Sequence, residues 1–138
     1  MKIAVSACLL GENCKYNGGN NYSEKCKSLL QEHEVIAVCP EVMGGLPTPR
    51  VPAEIVDGIV TTKDGRIVDK EFRSGAELAL RNVIDHGVEL CILQSRSPSC
   101  GVKEIYDGTF QGHKIPGQGV FAKMLFDAGI KVIDVEDL

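Results

Sequence analysis

Tryptophan is absent from this 138-residue chain, and aromatic residues make up only 5% of it. Aliphatic side chains must therefore fill the core. No apolar run approaches the roughly 20 residues that a membrane-spanning helix needs. An export signal is also missing: Lys2 leads into a short strand-like run with no small-residue cleavage site behind it. A cytoplasmic address is the expectation. Glycine-rich phosphate loops, a dinucleotide fingerprint and a Gly-x-Ser-x-Gly elbow are all lacking, which removes the commonest nucleotide-binding and serine-hydrolase readings. His33, His86 and His113 show no pairing of the kind zinc sites use, and no Cys-x-x-Cys occurs. Lys and Arg number 15 against 19 Asp and Glu, a net charge of −4. That balance argues against a broad nucleic-acid footprint, while leaving room for a small anionic substrate held by one or two arginines.

What remains is a globular composition, 43% hydrophobic and 25% charged, in a length that suits one domain spanning residues 1–138. Six cysteines are many for such a chain. Without an export signal they point to metal binding or catalysis more than to disulfides.

Residues 2–7 read as a buried strand, followed by a Gly/Asn-rich loop over 8–22. Ser23 caps a short helix over 24–33. A second strand covers 34–39. Residues 40–54 contain four prolines and two glycines, which predicts irregular chain with neither helix nor central strand. A hairpin is expected at 55–68 around Asp64-Gly65. Residues 70–86 form the clearest helix, with Phe72, Ala76, Ala79, Leu80, Val83 and Ile84 on one face. A third strand spans 88–93 and a turn-rich excursion 104–119. A last helix covers 119–128, and a last strand runs from Ile130 to Val135. Strands alternating with helices predict an α/β fold: a three-layer sandwich with a mainly parallel, Rossmann-like sheet and a small β-hairpin insertion.

Three cysteines fall where predicted parallel strands run out: Cys8, Cys39 and Cys100. In an open α/β sheet, ligands and catalytic groups gather beyond the carboxyl ends of the strands. Three thiols at one rim can hold a metal or cluster and leave one position open for chemistry. Cys91 lies inside an apolar strand and Cys26 in a helix, so both read as structural. Cys14 is a fourth ligand or a bystander, and the second is preferred. Glu41, two residues past Cys39, is a candidate general acid/base. Ser97 and Ser99 precede Cys100 and can hydrogen-bond a substrate or pass a proton. Arg50, Arg96 and Lys103 are candidate anion holders.

The motifs Cys8-Leu9-Leu10-Gly11 with Lys15-Tyr16-Asn17-Gly18, Cys39-Pro40-Glu41-Val42-x-Gly44-Gly45-Leu46-x-x-Pro49-Arg50-x-Pro52-Ala53-Glu54, and Ser97-Pro98-Ser99-Cys100-Gly101 recur together in one family. Tyr106-Asp107-Gly108-Thr109-Phe110 and Gly117-x-Gly119-Val120 continue the pattern. Over nearly its whole length the chain resembles the TudS-type thiouracil desulfidases, formerly a domain-of-unknown-function family. The resemblance implies a [4Fe-4S] cluster held by Cys8, Cys39 and Cys100, with one iron not ligated by protein. It also implies a catalytic acid and serine, carried here onto Glu41 and Ser97. The substrate it implies is a small thiolated pyrimidine, for which Leu9, Asn17, Met43, Arg50 and Ser99 are candidate contacts and Leu10 and Leu46 further walls. Asn17 stands where the family often has Asp, and Gln94-Ser95-Arg96 where a Lys is common. The reaction expected is a non-redox desulfuration that releases sulfide. The residues alone leave open another thiolated substrate, a non-catalytic metal or iron–sulfur protein, or a disulfide-bearing domain.

Overall fold

The structure, a computed structural model, describes residues 1–138. Its centre is a four-stranded parallel sheet in the order β2-β1-β5-β8, made of Lys2–Ser6 (β1), Glu34–Val38 (β2), Leu90–Leu93 (β5) and Lys131–Asp134 (β8). Alternation along the strands divides the side chains between two faces. Ile3, Val5 and Ile92 pack on one side with Leu9, Cys26 and Leu30. These come from a 3-10 turn at Ala7–Leu10, from the helix α1 (Glu24–Leu29) and from just beyond it. Ala4, Val38, Cys91 and Leu93 pack on the other, against Phe72, Ala76, Ala79 and Val83 of α3 (Asp69–Asp85) and Phe121, Ala122 and Leu125 of α4 (Val120–Asp127). Helices therefore cover both faces, giving the expected three-layer α/β sandwich. The strand order reverses between β1 and β5, which makes the carboxyl rim there a topological switch point. No helix is long and apolar enough to cross a membrane.

Several local expectations are corrected. The proline-rich segment carries a one-turn helix, α2 (Pro40–Met43), with Cys39 at the N-cap position and no side-chain capping bond. Proline at a first helical position loses no hydrogen bond that the helix would have used. This helix crosses α3 at two glycines. A Cβ on Gly75 would sit 1.8 Å from the Pro40 carbonyl oxygen, and one on Gly44 would sit 2.1 Å from the Glu71 carbonyl oxygen. The insertion hairpin pairs β3 (Ala53–Val56) with β4 (Ile59–Thr62), so it turns at Asp57-Gly58; residues 66–68 add one bridge, Thr61 to Ile67. Both turn residues have positive φ, 50° and 79°, the conformation that two-residue hairpin turns require. Residues 104–119 contain a second hairpin, β6 (Glu104–Tyr106) with β7 (Lys114–Pro116). Ile84 lies on the solvent side of α3 rather than in the core.

Candidate active site

The site forms where β1, β2 and β5 end. Immediately after β1 the chain tightens into the 3-10 turn, and Cys8 occupies its second position. The Cys8 carbonyl accepts the backbone N–H of Asn21 at 3.0 Å, closing the Gly/Asn-rich loop back onto the turn. Asn21 also donates its side-chain amide to Cys8 Sγ at 3.5 Å. Cys39 follows β2 and leads into α2, which places Glu41 in the first turn of that helix.

Cys100 ends a loop that is held with unusual density. Pro98 and Ser99 offer their carbonyls to the first N–H groups of α4: Val120 to Pro98 at 2.8 Å, Phe121 and Ala122 to Ser99 at 2.9 and 3.1 Å. These donors have no partner inside the helix, and the loop supplies one. Gly119 permits the approach, since a Cβ there would lie 2.5 Å from the Ser99 carbonyl carbon. Gly101 is required in the same way: a Cβ on it would lie 2.9 Å from the carbonyl oxygens of both Ser97 and Glu104. The motif glycines are thus spacers for a loop packed against a helix end.

These loops enclose a cavity of about 700 Å³. Cys8, Cys14, Cys39 and Cys100 all line it, together with Glu41, Ser97, Ser99 and Arg50. All six cysteines are free thiols. Burial is the main cause that raises the Cys8 thiol above its ordinary range; the Asn21 hydrogen bond opposes it and the neighbouring Cys39 adds to it. Burial pushes Cys100 up to about 12, against hydrogen bonds from Ser6 and Ser99 and with added repulsion from Glu41 and Cys8. Cys14 is also pushed up to about 12, first by burial and then by the charge of Cys39 and a hydrogen bond with it. As thiolates these groups repel one another.

Three rim thiols and Cys14 face one cavity. Thiolates are the usual ligands of iron–sulfur clusters. Cys8, Cys39 and Cys100 fit such a group in chemistry and placement.

Beside the thiols runs a polar line. Ser99 Oγ donates to Glu41 Oε2 at 2.8 Å, and Ser97 Oγ lies 2.9 Å from Ser99 Oγ. Ser99 Oγ also lies 3.6 Å from Cys100 Sγ; with its proton on the carboxylate, Ser97 is the donor to Ser99. Ser97 Oγ in turn accepts the backbone N–H groups of Ser99 and Cys100 at 3.1 and 3.0 Å. In that arrangement the line runs from Ser97 to Ser99 to Glu41. The other carboxylate oxygen of Glu41 is paired with Arg50 Nε at 3.1 Å, the two side chains being 15% and 8% exposed.

This geometry belongs with a family relationship. The 2-thiouracil desulfurase family model matches residues 3–137. The chain belongs to the 2-thiouracil desulfurase family. It is 40% identical over 146 aligned positions to Uncharacterized protein YbbK of Bacillus subtilis (strain 168), covering 99% of this chain and 97% of that one. A solved structure described as the [4Fe-4S]-dependent thiouracil desulfidase TudS is 43% identical and superposes with a TM-score of 0.92, over 99% of this chain and 92% of that chain. The chain is thus a member of a family of sulfur-removing enzymes, and its mainly parallel α/β fold is that of the solved relative.

The candidate contacts divide. Glu41, Ser97, Ser99 and Arg50 reach the cavity, as do the three rim thiols and Leu46. Leu9 does not: the 3-10 turn directs it into the core, where it is 1% exposed. Met43 packs against the α3-side core, and Asn17 is exposed, its side chain accepting the Gly19 N–H at 2.9 Å. Neither these two nor Leu10 lines the cavity. Arg96 pairs with Glu136 at 2.8 Å and Lys103 with Asp137 at 2.9 Å, so both cations already have partners. Asn21, which donates to Cys8 Sγ, and Ser6, which lines the cavity and accepts the Gln94 N–H at 3.0 Å, are neighbours of the thiols that no motif in the sequence marks. Tyr16, Tyr106 and Phe110 supply cavity wall in place of Leu9 and Met43.

Proposed function

We propose that this protein removes sulfur from a small thiolated pyrimidine such as thiouracil, using a [4Fe-4S] cluster held by Cys8, Cys39 and Cys100. The observation that carries the reading is the convergence of those three thiols, from three separate strand ends, on the cavity that also receives Glu41 and the two serines. With three thiolate ligands for four irons, a bound cluster supplies a thiophilic Lewis acid with one position open to the substrate sulfur.

The chain's own residues manage protons. Water adds to the thiocarbonyl carbon, the carbon–sulfur bond breaks, and the oxygen of the product carbonyl comes from water. One thiocarbonyl and one water give one carbonyl and one hydrogen sulfide, with no net electron transfer. Glu41, paired with Arg50, is placed to accept a proton through Ser99 from the Ser97 end of the line. Proton transfer by such a positioned group contributes typically about 10²–10⁴-fold. Tyr16, Tyr106, Phe110 and Leu46 give the cavity apolar surface for a flat ring. Six free thiols suit a reducing compartment, so a cytoplasmic place of action belongs to the same reading.

The test is anaerobic reconstitution with iron and sulfide, followed by turnover of thiouracil in ¹⁸O-labelled water. The expected result is one sulfide per uracil, with the label in the carbonyl. Unlabelled product, or no sulfide from cluster-loaded protein, rejects the reading. Cys14, a fourth thiol in the same cavity, favours one competitor: a fully thiolate-ligated cluster that only supports the fold. That competitor requires the cluster to be lost when Cys14 is replaced by Ser.

A further inference from the structure

Arg50 lines the cavity with a side chain only 8% exposed, and its donors are almost all committed to protein. Nε donates to Glu41 Oε1 at 3.1 Å. One terminal nitrogen donates to the Pro47 carbonyl at 3.2 Å and to Thr48 Oγ1 at 3.0 Å. The other donates to the Cys14 carbonyl at 2.9 Å. Its backbone N–H is used as well, donated to the Tyr16 carbonyl at 2.7 Å. A guanidinium with one N–H to spare is poorly placed to recognise a substrate anion, but its rigid fork is well suited to joining fixed acceptors. The acceptors it joins belong to different walls of the cavity. Glu41 lies in the turn after Cys39, and the Cys14 and Tyr16 carbonyls lie in the loop after Cys8.

We infer that Arg50 is a positioning residue. It holds the Glu41 carboxylate so that Oε2 meets Ser99, and its bonds to Pro47, Thr48 and the Cys14 carbonyl fix the guanidinium for that task. The inference rests on the desulfidase reading above, because it concerns the proton line of that reaction. Glu41 carries two demands at once, an ion pair on one oxygen and a serine on the other. Without the guanidinium, Oε1 has no other partner in the structure, and the carboxylate is free to rotate away from Ser99. Misplacement of a catalytic group by about 1 Å is enough to cost about 10²-fold in rate.

The experiment is a double-mutant cycle on cluster-loaded protein turning over thiouracil, with Arg50→Ala, Glu41→Gln and the pair, kcat and KM measured separately and iron counted in each. Arg50→Ala is expected to lower kcat about 100-fold, with KM and the iron count near those of the parent. In the Glu41→Gln background it is expected to cost nothing further. Guanidinium added at millimolar concentration is expected to restore part of the lost kcat in Arg50→Ala and none in the pair. Where Arg50→Ala does impair the protein, three results overturn the inference. The first is a raised KM with kcat intact, which makes Arg50 a substrate contact. The second is an equal loss in both backgrounds, which makes its role general to the fold. The third is loss of the cluster in both Arg50→Ala and Arg50→Lys, which puts its action on the cluster ligands. If the parent protein itself releases no sulfide, the desulfidase reading fails and takes this inference with it. Turnover by the parent with an unaffected Arg50→Ala removes the inference alone.

Discussion

The interior of the sheet and its carboxyl rim both hold buried cysteines, and the two regions treat them differently. Cys91 in β5 and Cys100 just past it are each pushed up to about 12 by burial. For Cys91 burial is the whole cause. Cys100 has hydrogen bonds from Ser6 and Ser99 and the charges of Glu41 and Cys8 acting on it too. Cys26 repeats the interior pattern on the other face of the sheet, raised by burial alone and fully enclosed. Depth of burial therefore does not separate a rim thiol from a core one here. The polar company does: the rim thiol lies beside hydrogen-bond donors and other thiols, where a bound cationic group would neutralise them together.

That contrast can be broken most severely at the rim. Cys39→Ala is expected to abolish cluster binding and reduce sulfide release to background, read by iron analysis and a sulfide assay on the same sample. Gly75→Ala comes next and acts from outside the cavity. Its Cβ would lie 1.8 Å from the Pro40 carbonyl oxygen, so the α2 turn that carries Glu41 must shift. The expected cost is about 3 kcal/mol of stability, the upper range of ordinary overpacking, measured by denaturant titration. Ser99→Ala removes the middle of the proton line while leaving the loop carbonyls in place. It is expected to lower kcat about 10²-fold, with the cluster absorbance retained. Cys14→Ser should do least, leaving both iron count and kcat unchanged. A large effect there moves Cys14 into the ligand set and blurs the distinction between three thiols and four.

Much of this arrangement is legible in the chain itself. Apolar runs separated by one clear helix, with Cys8, Cys39 and Cys100 at their ends, predict the parallel sheet and the rim site. The Cys-Pro-Glu and Ser-Pro-Ser-Cys-Gly contexts single out Glu41 and Ser97. What is not legible depends in part on contacts between segments distant in sequence and in part on local turns that composition hides. Arg50 is bonded to the Cys14 carbonyl across 36 positions, and no local pattern shows that. Ser99 separates Ser97 from Glu41 only because a helix end holds its loop in place. Leu9 sits next to a ligand in sequence, yet a tight 3-10 turn sends it into the core. Proline content hides α2, because a proline that forbids a helix interior is welcome at its first turn. The short strands of the 104–116 hairpin are masked by the turn residues around them.

The central claim is that the rim thiols, and not the interior ones, hold the cluster. It is tested most directly by counting iron and acid-labile sulfide per chain after anaerobic reconstitution of three proteins: the parent, Cys100→Ala and Cys91→Ala. The account predicts one [4Fe-4S] cluster per chain in the parent and in Cys91→Ala, and none in Cys100→Ala. A cluster retained in full by Cys100→Ala, or lost from Cys91→Ala while that protein remains folded, would contradict it.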